Sequence, residues 1–436
     1  MINQIVIMSG GKGKRIKKYF KGPKILINIF NKPLLYWHIR VAEKYKIKRI
    51  LIITGYKSEE IEQYVAKIKT NIKITFFKEK ILNGTGGALI KVKQFLDNEF
   101  FLIYGDVIQN INLKKFHKFH TKKKSDITIF SHPNDHPESS DLIVADQKNR
   151  VKTIMKYPHK TKIYGNLSIA AAFCIKKKVL NKTNVFRLTK IDLVKDILIK
   201  KLNFKIYSYQ SLDLIKDCGN INRVREINRN KNLFNKLKDS NNKNKCIFLD
   251  MDGTIVEEVK RLDSYKKLKY YPQVGNIIKE INKSSFLAVL ITNKPIIAKG
   301  FCSEDMLIKI FNSLETHLAL SHSFLDRIYF CPHHPSRGFE GEIKSLKINC
   351  DCRKPKTGLL KKACREMNIS HKKSWIIGDS TTDIQLAKNA KMKSILVNTG
   401  YKGQDKKFNV NPDFKFNNLK SAVRFILNDS KKINYK

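Results

Sequence analysis

Short apolar runs separated by polar, helix-periodic stretches fill most of the chain. In the first half the runs are "QIVIM", "RILIIT", "IKITFF", "EFFLIYGD" and "DITIF". Each is four to eight residues of mainly Ile, Val, Phe and Leu, the pattern of a buried strand. Between them lie segments such as "SEEIEQYVAKIK". There Ser58 is the expected helix cap, and Glu59 and Glu60 suit the positive end of the helix dipole. Strands alternating with helices predict βαβ units and a mainly parallel sheet, whose ligands collect beyond the carboxyl ends of the strands. Functional side chains are therefore expected just after the apolar runs.

Between residues 229 and 245 the apolar period disappears into "RNKNLFNKLKDSNNKNK", a polar Asn/Lys tract. The pattern then restarts with "KCIFLDMDGT", "FLAVLITNK", "RIYFCP", "SWIIGDSTTD" and "KSILVNTG", five more strands each running into polar residues or glycine. A chain of 436 residues with 42% hydrophobic content exceeds what one core organises. The expected class is α/β with two Rossmann-like domains, residues 1–228 and 246–436, joined by a linker at 229–245. No internal repeat is visible.

Charge changes this picture little. The net charge is +48 and the pI about 9.9, but the lysines decorate nearly every segment instead of forming a stripe interleaved with aromatics. That distribution argues against dedicated nucleic-acid binding, while the field still favours anionic small substrates. No run of about 18 apolar residues occurs, so no membrane-spanning helix is expected. "MINQIVIMSGGKGKR" lacks the order of a secretory signal, and a cytoplasmic location is the expectation. Five of the eight cysteines are isolated, which does not suit a disulfide framework. Oligomeric state is not set by the sequence.

In the second half, "IFLDMDGT" puts Asp250 and Asp252 at the end of an apolar strand. A turn or cap explains one such carboxylate, not the polar groups that follow later strands: Thr292 after "AVLI", Lys354 in "CRKPKTG", Asp379 and Asp383 after "SWIIG". This ordered set, D-x-D-G-T, a strand-ending Thr, a Lys and G-D-x-x-x-D, resembles the haloacid dehalogenase superfamily of phosphotransferases. The resemblance implies Asp250 as nucleophile and Asp252 as acid and then base. It implies Thr292 and Lys354 as phosphoryl holders, and Mg²⁺ held by Asp250, the Asp252 backbone carbonyl and Asp379, with Asp383 orienting that shell. Asn293 and Arg353 are substrate-binding candidates beside these. The short interval from Asp252 to Thr292 leaves no room for a large cap domain.

"CPHHPSRGFEGEIKSLKINCDC" pairs Cys331 and His333 with Cys350 and Cys352. Two short-spaced pairs of soft or borderline donors suit a closed tetrahedral Zn²⁺ site of structural type. His334 is the spare histidine. The arrangement "CPHHP…CDCRKP" resembles D,D-heptose 1,7-bisphosphate phosphatases and, more distantly, the histidinol-phosphatase branch, over residues 246 to about 430. One departure stands out: after "GD" that family commonly has Lys or Arg, and here Ser380 stands.

At the start of the chain, "QIVIMSGGKGKR" carries a strand into glycines, which let backbone N–H groups approach phosphate. It is neither a P-loop nor the dinucleotide fingerprint. With Pro23-Lys24, "EKILNGTGGAL", "FLIYGD" and "DCGN" in order, it resembles the sugar-1-phosphate nucleotidyltransferases over residues 1 to about 228. The resemblance implies that Gly10, Gly11, Gly13 and Arg15 wrap the triphosphate and Lys24 neutralises the α-phosphate. It further implies that Gly84, Thr85 and Gly86 lie along the nucleoside, and that Asp106 and Asp217 hold Mg²⁺. Lys156 and Asn166 are candidates for the sugar phosphate. Alone, Asp106 would more often be a strand terminator and Asp217 a turn residue before Gly219 than a catalytic group.

Together the two resemblances imply a bifunctional enzyme. One domain removes the 7-phosphate of D-glycero-D-manno-heptose 1,7-bisphosphate, and the other joins the resulting 1-phosphate to a nucleotide. GTP is the expected donor from likeness to heptose 1-phosphate guanylyltransferases, with ATP or another nucleotide as alternatives. A second reading keeps a phosphatase of another sugar or histidinol phosphate beside an N-terminal nucleotide-binding regulatory module.

Overall fold

The computed structural model describes residues 2–11, 13, 15–146, 148–182, 190–199, 204–230 and 243–433. Most of the expected linker, residues 231–242, lies outside them. The chain divides into two compact units. The first comprises residues 1–132, 141–156 and 168–241, and the second residues 133–140, 157–167 and 242–436.

In the first unit the strands Arg49–Thr54, Gln4–Ser9 and Glu99–Tyr104 lie side by side in parallel, with Lys73–Lys78 at one edge. Leu167–Lys176 joins antiparallel on the other flank of Glu99–Tyr104. Ile5, Ile7, Ile50, Ile52, Phe101 and Ile103 are buried in one core cluster against the helix Leu34–Lys44, as full burial of a parallel sheet requires. The helix Ser58–Ala66 departs from expectation at its start. Lys57 occupies the cap with φ 54°, and Ser58 is its first residue. The Ser58 hydroxyl is drawn inward, 2.8 Å from the Thr54 hydroxyl, and donates to Glu62 at 2.7 Å. A buried partner at the end of the preceding strand thus outcompetes the free backbone amides. "FHKFH" lies on the helix Leu113–Lys122, where His120 is buried 2.7 Å from the Thr128 hydroxyl.

All five strands expected in the second half belong to one sheet, in the order Arg327–Cys331, Phe286–Asn293, Lys245–Leu249, Trp375–Gly378, Lys393–Val397. A sixth, Phe414–Phe416, completes the edge, and every pairing is parallel. Between Lys245–Leu249 and Phe286–Asn293 come a short turn of helix and the helix Val274–Lys283, with no inserted cap domain. The central strands therefore end together at one rim, and the residues that follow them share a cleft. Among the described residues, no helix is long and apolar enough to cross a membrane.

Candidate active sites

At the rim of the second sheet the residue after each central strand is polar. Asp250 follows Leu249, Asp379 follows Gly378, and Thr292 is the penultimate residue of the neighbouring strand Phe286–Asn293. Gly253 makes the turn after Asp252 with φ 72°, and a Cβ there would overlap the Asp379 carboxylate. Only glycine serves where a left-handed backbone passes this close to a carboxylate. Lys354 reaches in with its side chain 4% exposed, 2.8 Å from Asp250 Oδ1 and 2.7 Å from Asp383 Oδ1. Ser380 donates to the other oxygen of Asp383 at 2.6 Å, so the position that departs from the family pattern braces this carboxylate. Donor oxygens of Asp250, Asp379 and Asp383 lie within 4.8 Å of one another.

Such crowding is costly. Burial pushes Asp250 up to about 7, with Asp383 adding to the rise and Lys354 opposing it. Burial likewise raises Asp379 to about 8, with Asp250 and Asp383 reinforcing. One lysine does not neutralise three carboxylates, and an oxygen-only donor set fits a hard divalent cation. The Thr292 hydroxyl is buried and has no hydrogen-bond partner among the described residues, an orphan donor beside the same cleft. Asn293 locks the neighbouring loop, accepting from Lys354 N–H at 3.0 Å and donating to the Lys354 carbonyl at 3.2 Å. The cleft holds about 210 Å³ and is also lined by Asp252, Glu258, Lys294, Arg353, Tyr401 and Lys407. Of these, Glu258, Lys294, Tyr401 and Lys407 escape the sequence reading. Lys294 adjoins Thr292-Asn293 but is one among the chain's many lysines, and the others depend on loops whose course no pattern gives.

The cysteine and histidine pairs converge. Cys352 Sγ lies 3.2 Å from Cys331 Sγ, from Cys350 Sγ and from His333 Nδ1. Cys331 lies 3.5 Å from Cys350 and 3.7 Å from His333. A disulfide would bring two sulfurs to about 2.05 Å. Four thiolates around zinc at about 2.3 Å would be about 3.8 Å apart along the tetrahedron edges, close to the spacing found. The four side chains form a cluster able to hold a metal ion. It is tied to the cleft: Cys331 pairs across the sheet with Asn293, its carbonyl accepts from Lys294 N–H at 2.8 Å, and Arg353 donates to the His333 carbonyl at 3.2 Å.

In the first unit, Lys24 Nζ lies 3.1 Å from Asp106 Oδ2, at the end of Glu99–Tyr104. The strand Leu214–Asp217 pairs antiparallel with Val107–Asn110 and sets Asp217 opposite Val107. Cys218 N–H then donates to the Asp106 carbonyl at 2.8 Å, which brings both carboxylate-bearing residues to one corner. Asp217 is ion-paired with Arg223. Gly13, with φ 60°, packs on the stem of Lys24. Gly10 sits on the run from Gln4–Ser9, and Gly11 and Arg15 are exposed. Gly84, Thr85 and Gly86 open the helix Gly84–Lys91, but their polar groups are engaged: Gly86 N–H donates to Ile191 at 2.8 Å and the Thr85 hydroxyl accepts from Leu193 N–H at 2.8 Å. Lys156 is exposed just beyond Val151–Met155. Asn166 falls in the second unit, where it is buried, its N–H donating to Glu315 at 3.0 Å.

Comparison with known proteins separates an N-terminal from a C-terminal half. Residues 4–232, more than half of the chain, match the nucleotidyl transferase family, and residues 351–422 match the HAD-hydrolase-like family. The D-glycero-beta-D-manno-heptose-1,7-bisphosphate 7-phosphatase of Haemophilus influenzae is 39% identical over 158 residues, covering 36% of this chain and 83% of that protein. The Escherichia coli K12 protein of the same name is 34% identical over 156 residues, covering 36% and 80%. Among solved structures, HddC from Yersinia pseudotuberculosis is 23% identical with a TM-score of 0.46, over 52% of this chain and 98% of that one.

Proposed function

We propose a two-step enzyme for a chain that belongs to the nucleotidyl transferase family through its N-terminal half and to the heptose-1,7-bisphosphate 7-phosphatase family through its C-terminal half. The second unit removes the 7-phosphate of D-glycero-D-manno-heptose 1,7-bisphosphate, and the first transfers a nucleotidyl group, GMP as first choice, from NTP to the heptose 1-phosphate. The observation that carries the first step is the rim cluster: Asp250 aligned by Lys354, an unpartnered buried Thr292 hydroxyl, and three converging carboxylates.

Asp250 attacks phosphorus while the bond to the sugar oxygen breaks and Asp252 gives that oxygen its proton. Water, deprotonated by Asp252, then releases phosphate from the aspartyl-phosphate and restores Asp250. Thr292 and Lys354 hold the phosphoryl oxygens, and Arg353 and Asn293 face the substrate. Mg²⁺ would be held by Asp250, Asp379 and the carbonyl of Asp252, with Asp383 behind them, and would screen the nucleophile from the phosphate it attacks. Zn²⁺ is the proposed occupant of the Cys331, His333, Cys350 and Cys352 site, because three sulfurs and one imidazole fill a closed tetrahedron.

In the first unit Lys24 neutralises the α-phosphate as the sugar-phosphate oxygen attacks and pyrophosphate leaves, with Asp106 and Asp217 as Mg²⁺ ligands. Both substrates are soluble phosphorylated metabolites, which supports work in the cytoplasm. Incubating the full chain with the bisphosphate, Mg²⁺ and each NTP in turn, with products identified by mass, tests the reading. It requires inorganic phosphate, pyrophosphate and an NDP-heptose; phosphate release with no pyrophosphate from any NTP would leave the first unit as a binding module only.

A further inference from the structure

Cations within the phosphatase cleft are unevenly committed. Lys354 is shared between Asp250 and Asp383, and Arg353 is turned to the His333 carbonyl. Ser380, where a lysine or arginine was expected, donates its proton to Asp383 and brings no charge. Lys260 and Lys407 line the cleft from exposed positions, whereas Lys294 is buried in it. Its side chain is 3% exposed, and its ammonium is ion-paired with Asp252 Oδ2. Its backbone is fixed by the bond to the Cys331 carbonyl, at the root of the Cys/His site. A buried lysine loses long-side-chain entropy and hydration, costs that a surface pair on an exposed loop would not carry.

We propose that Lys294 is a positioning residue of the phosphatase reaction, clamping one oxygen of Asp252 so that the other faces the leaving oxygen of the sugar. The inference rests on the phosphatase reading given above. In the first half-reaction the phosphorus–sugar oxygen bond breaks as the Asp250–phosphorus bond forms, and the proton passes from Asp252 to the sugar oxygen. In the second, a water oxygen bonds to phosphorus as the Asp250–phosphorus bond breaks, and the water's proton returns to Asp252. Lys294 forms no bond to substrate. It fixes where that proton is given and received, and supplies positive charge that Ser380 does not.

The test compares an alkyl with an aryl leaving group. Heptose 1,7-bisphosphate needs its departing oxygen protonated, whereas p-nitrophenyl phosphate releases a phenolate that leaves without a proton. For Lys294→Met in the full chain with Mg²⁺, kcat on the sugar phosphate should fall about 100-fold with KM moving less than about threefold, within the range of a misplaced general acid. The pre-steady-state release of p-nitrophenolate, which reports the first half-reaction alone, should fall several-fold at most, and Lys294→Arg should recover most of the loss on the sugar phosphate. Lys294→Gln, which keeps a donor at similar reach, is measured beside them so that a folded cleft is sampled whatever methionine does. Equal losses on both substrates in the Met and Gln variants, or no loss on the sugar, would overturn the proposal. Wild-type protein inert on both substrates would instead defeat the phosphatase reading itself.

Discussion

Lys354 faces two carboxylates at once, so removing either partner is not equivalent to removing the other. Asp250→Asn keeps the shape of the cleft and leaves Lys354 its bond to Asp383 at 2.7 Å, but deletes the nucleophile. Phosphate release should fall by at least about 10³-fold, with nucleotidyl transfer unchanged, as read by parallel phosphate and pyrophosphate assays. At the other corner, Asp106 is the partner of Lys24 and the residue whose carbonyl receives Cys218 N–H. Asp106→Ala keeps that carbonyl while removing the carboxylate. Pyrophosphate release should drop about 10²- to 10³-fold and hydrolysis should stay at the wild-type rate. That Asp250 and Asp252 of "DMDGT" share one strand-end cleft was legible, because strand-end carboxylates in ordered company have few structural explanations. Lys294 was not, because a lysine one place beyond Thr292-Asn293 looks like any of the many lysines in this chain until its burial is known.

The Cys/His site acts at the scale of elements, by fastening the tip of Arg327–Cys331 to the loop that carries Arg353 and Lys354. With zinc there as proposed, Cys350→Ser should lose one bound metal ion per chain by metal analysis, lower the first thermal midpoint and cut hydrolysis severalfold or more, with nucleotidyl transfer intact. The helix Glu304–Ala319 offers a pH test within the same unit. Burial pushes Glu315 up to about 7, against the opposing pull of the Asn166 N–H it accepts. A folded-state value above the unfolded one, near 4.3, means the folded state holds the proton more tightly. The stabilisation is then complete below about pH 4.3 and lost as pH rises through about 7. Glu315→Gln has no such proton, so its midpoint should gain on wild type from pH 5 to pH 8, by the equivalent of about 2 kcal/mol, in differential scanning calorimetry. This contact also marks a limit of sequence reading. The apolar runs located the strands because burial on both faces of a parallel sheet leaves little else to read. The polar segments 133–140 and 157–167 carry no such pattern, and their grouping with the second unit comes from bonds such as Tyr164 N–H to Thr316 Oγ1 at 3.0 Å. Phe414–Phe416 was missed for a related reason: an edge strand of three residues, partly exposed, has too few positions to show a period.

At the scale of the whole molecule, the two reactions share a metabolite and no side chain. Every group argued to act on phosphorus in hydrolysis lies at or after the end of a strand of the sheet that begins at Lys245, and every group argued for nucleotidyl transfer lies before Asn220. A lesion in one site should therefore be complemented by a second molecule whose lesion lies in the other. Equal amounts of Asp250→Asn and Asp106→Ala protein, given heptose 1,7-bisphosphate, NTP and Mg²⁺, should form NDP-heptose although neither does so alone. The intermediate made by one molecule must reach another through solution, so product should appear after a lag that shortens as both proteins are concentrated. Wild type at the same site concentration either shows the same lag, in which case the 1-phosphate is released before use, or shows none, in which case it is retained. If the mixture makes no product while each variant keeps its single reaction at full rate, transfer between sites on one chain is obligatory and the sites are not the independent catalysts argued here.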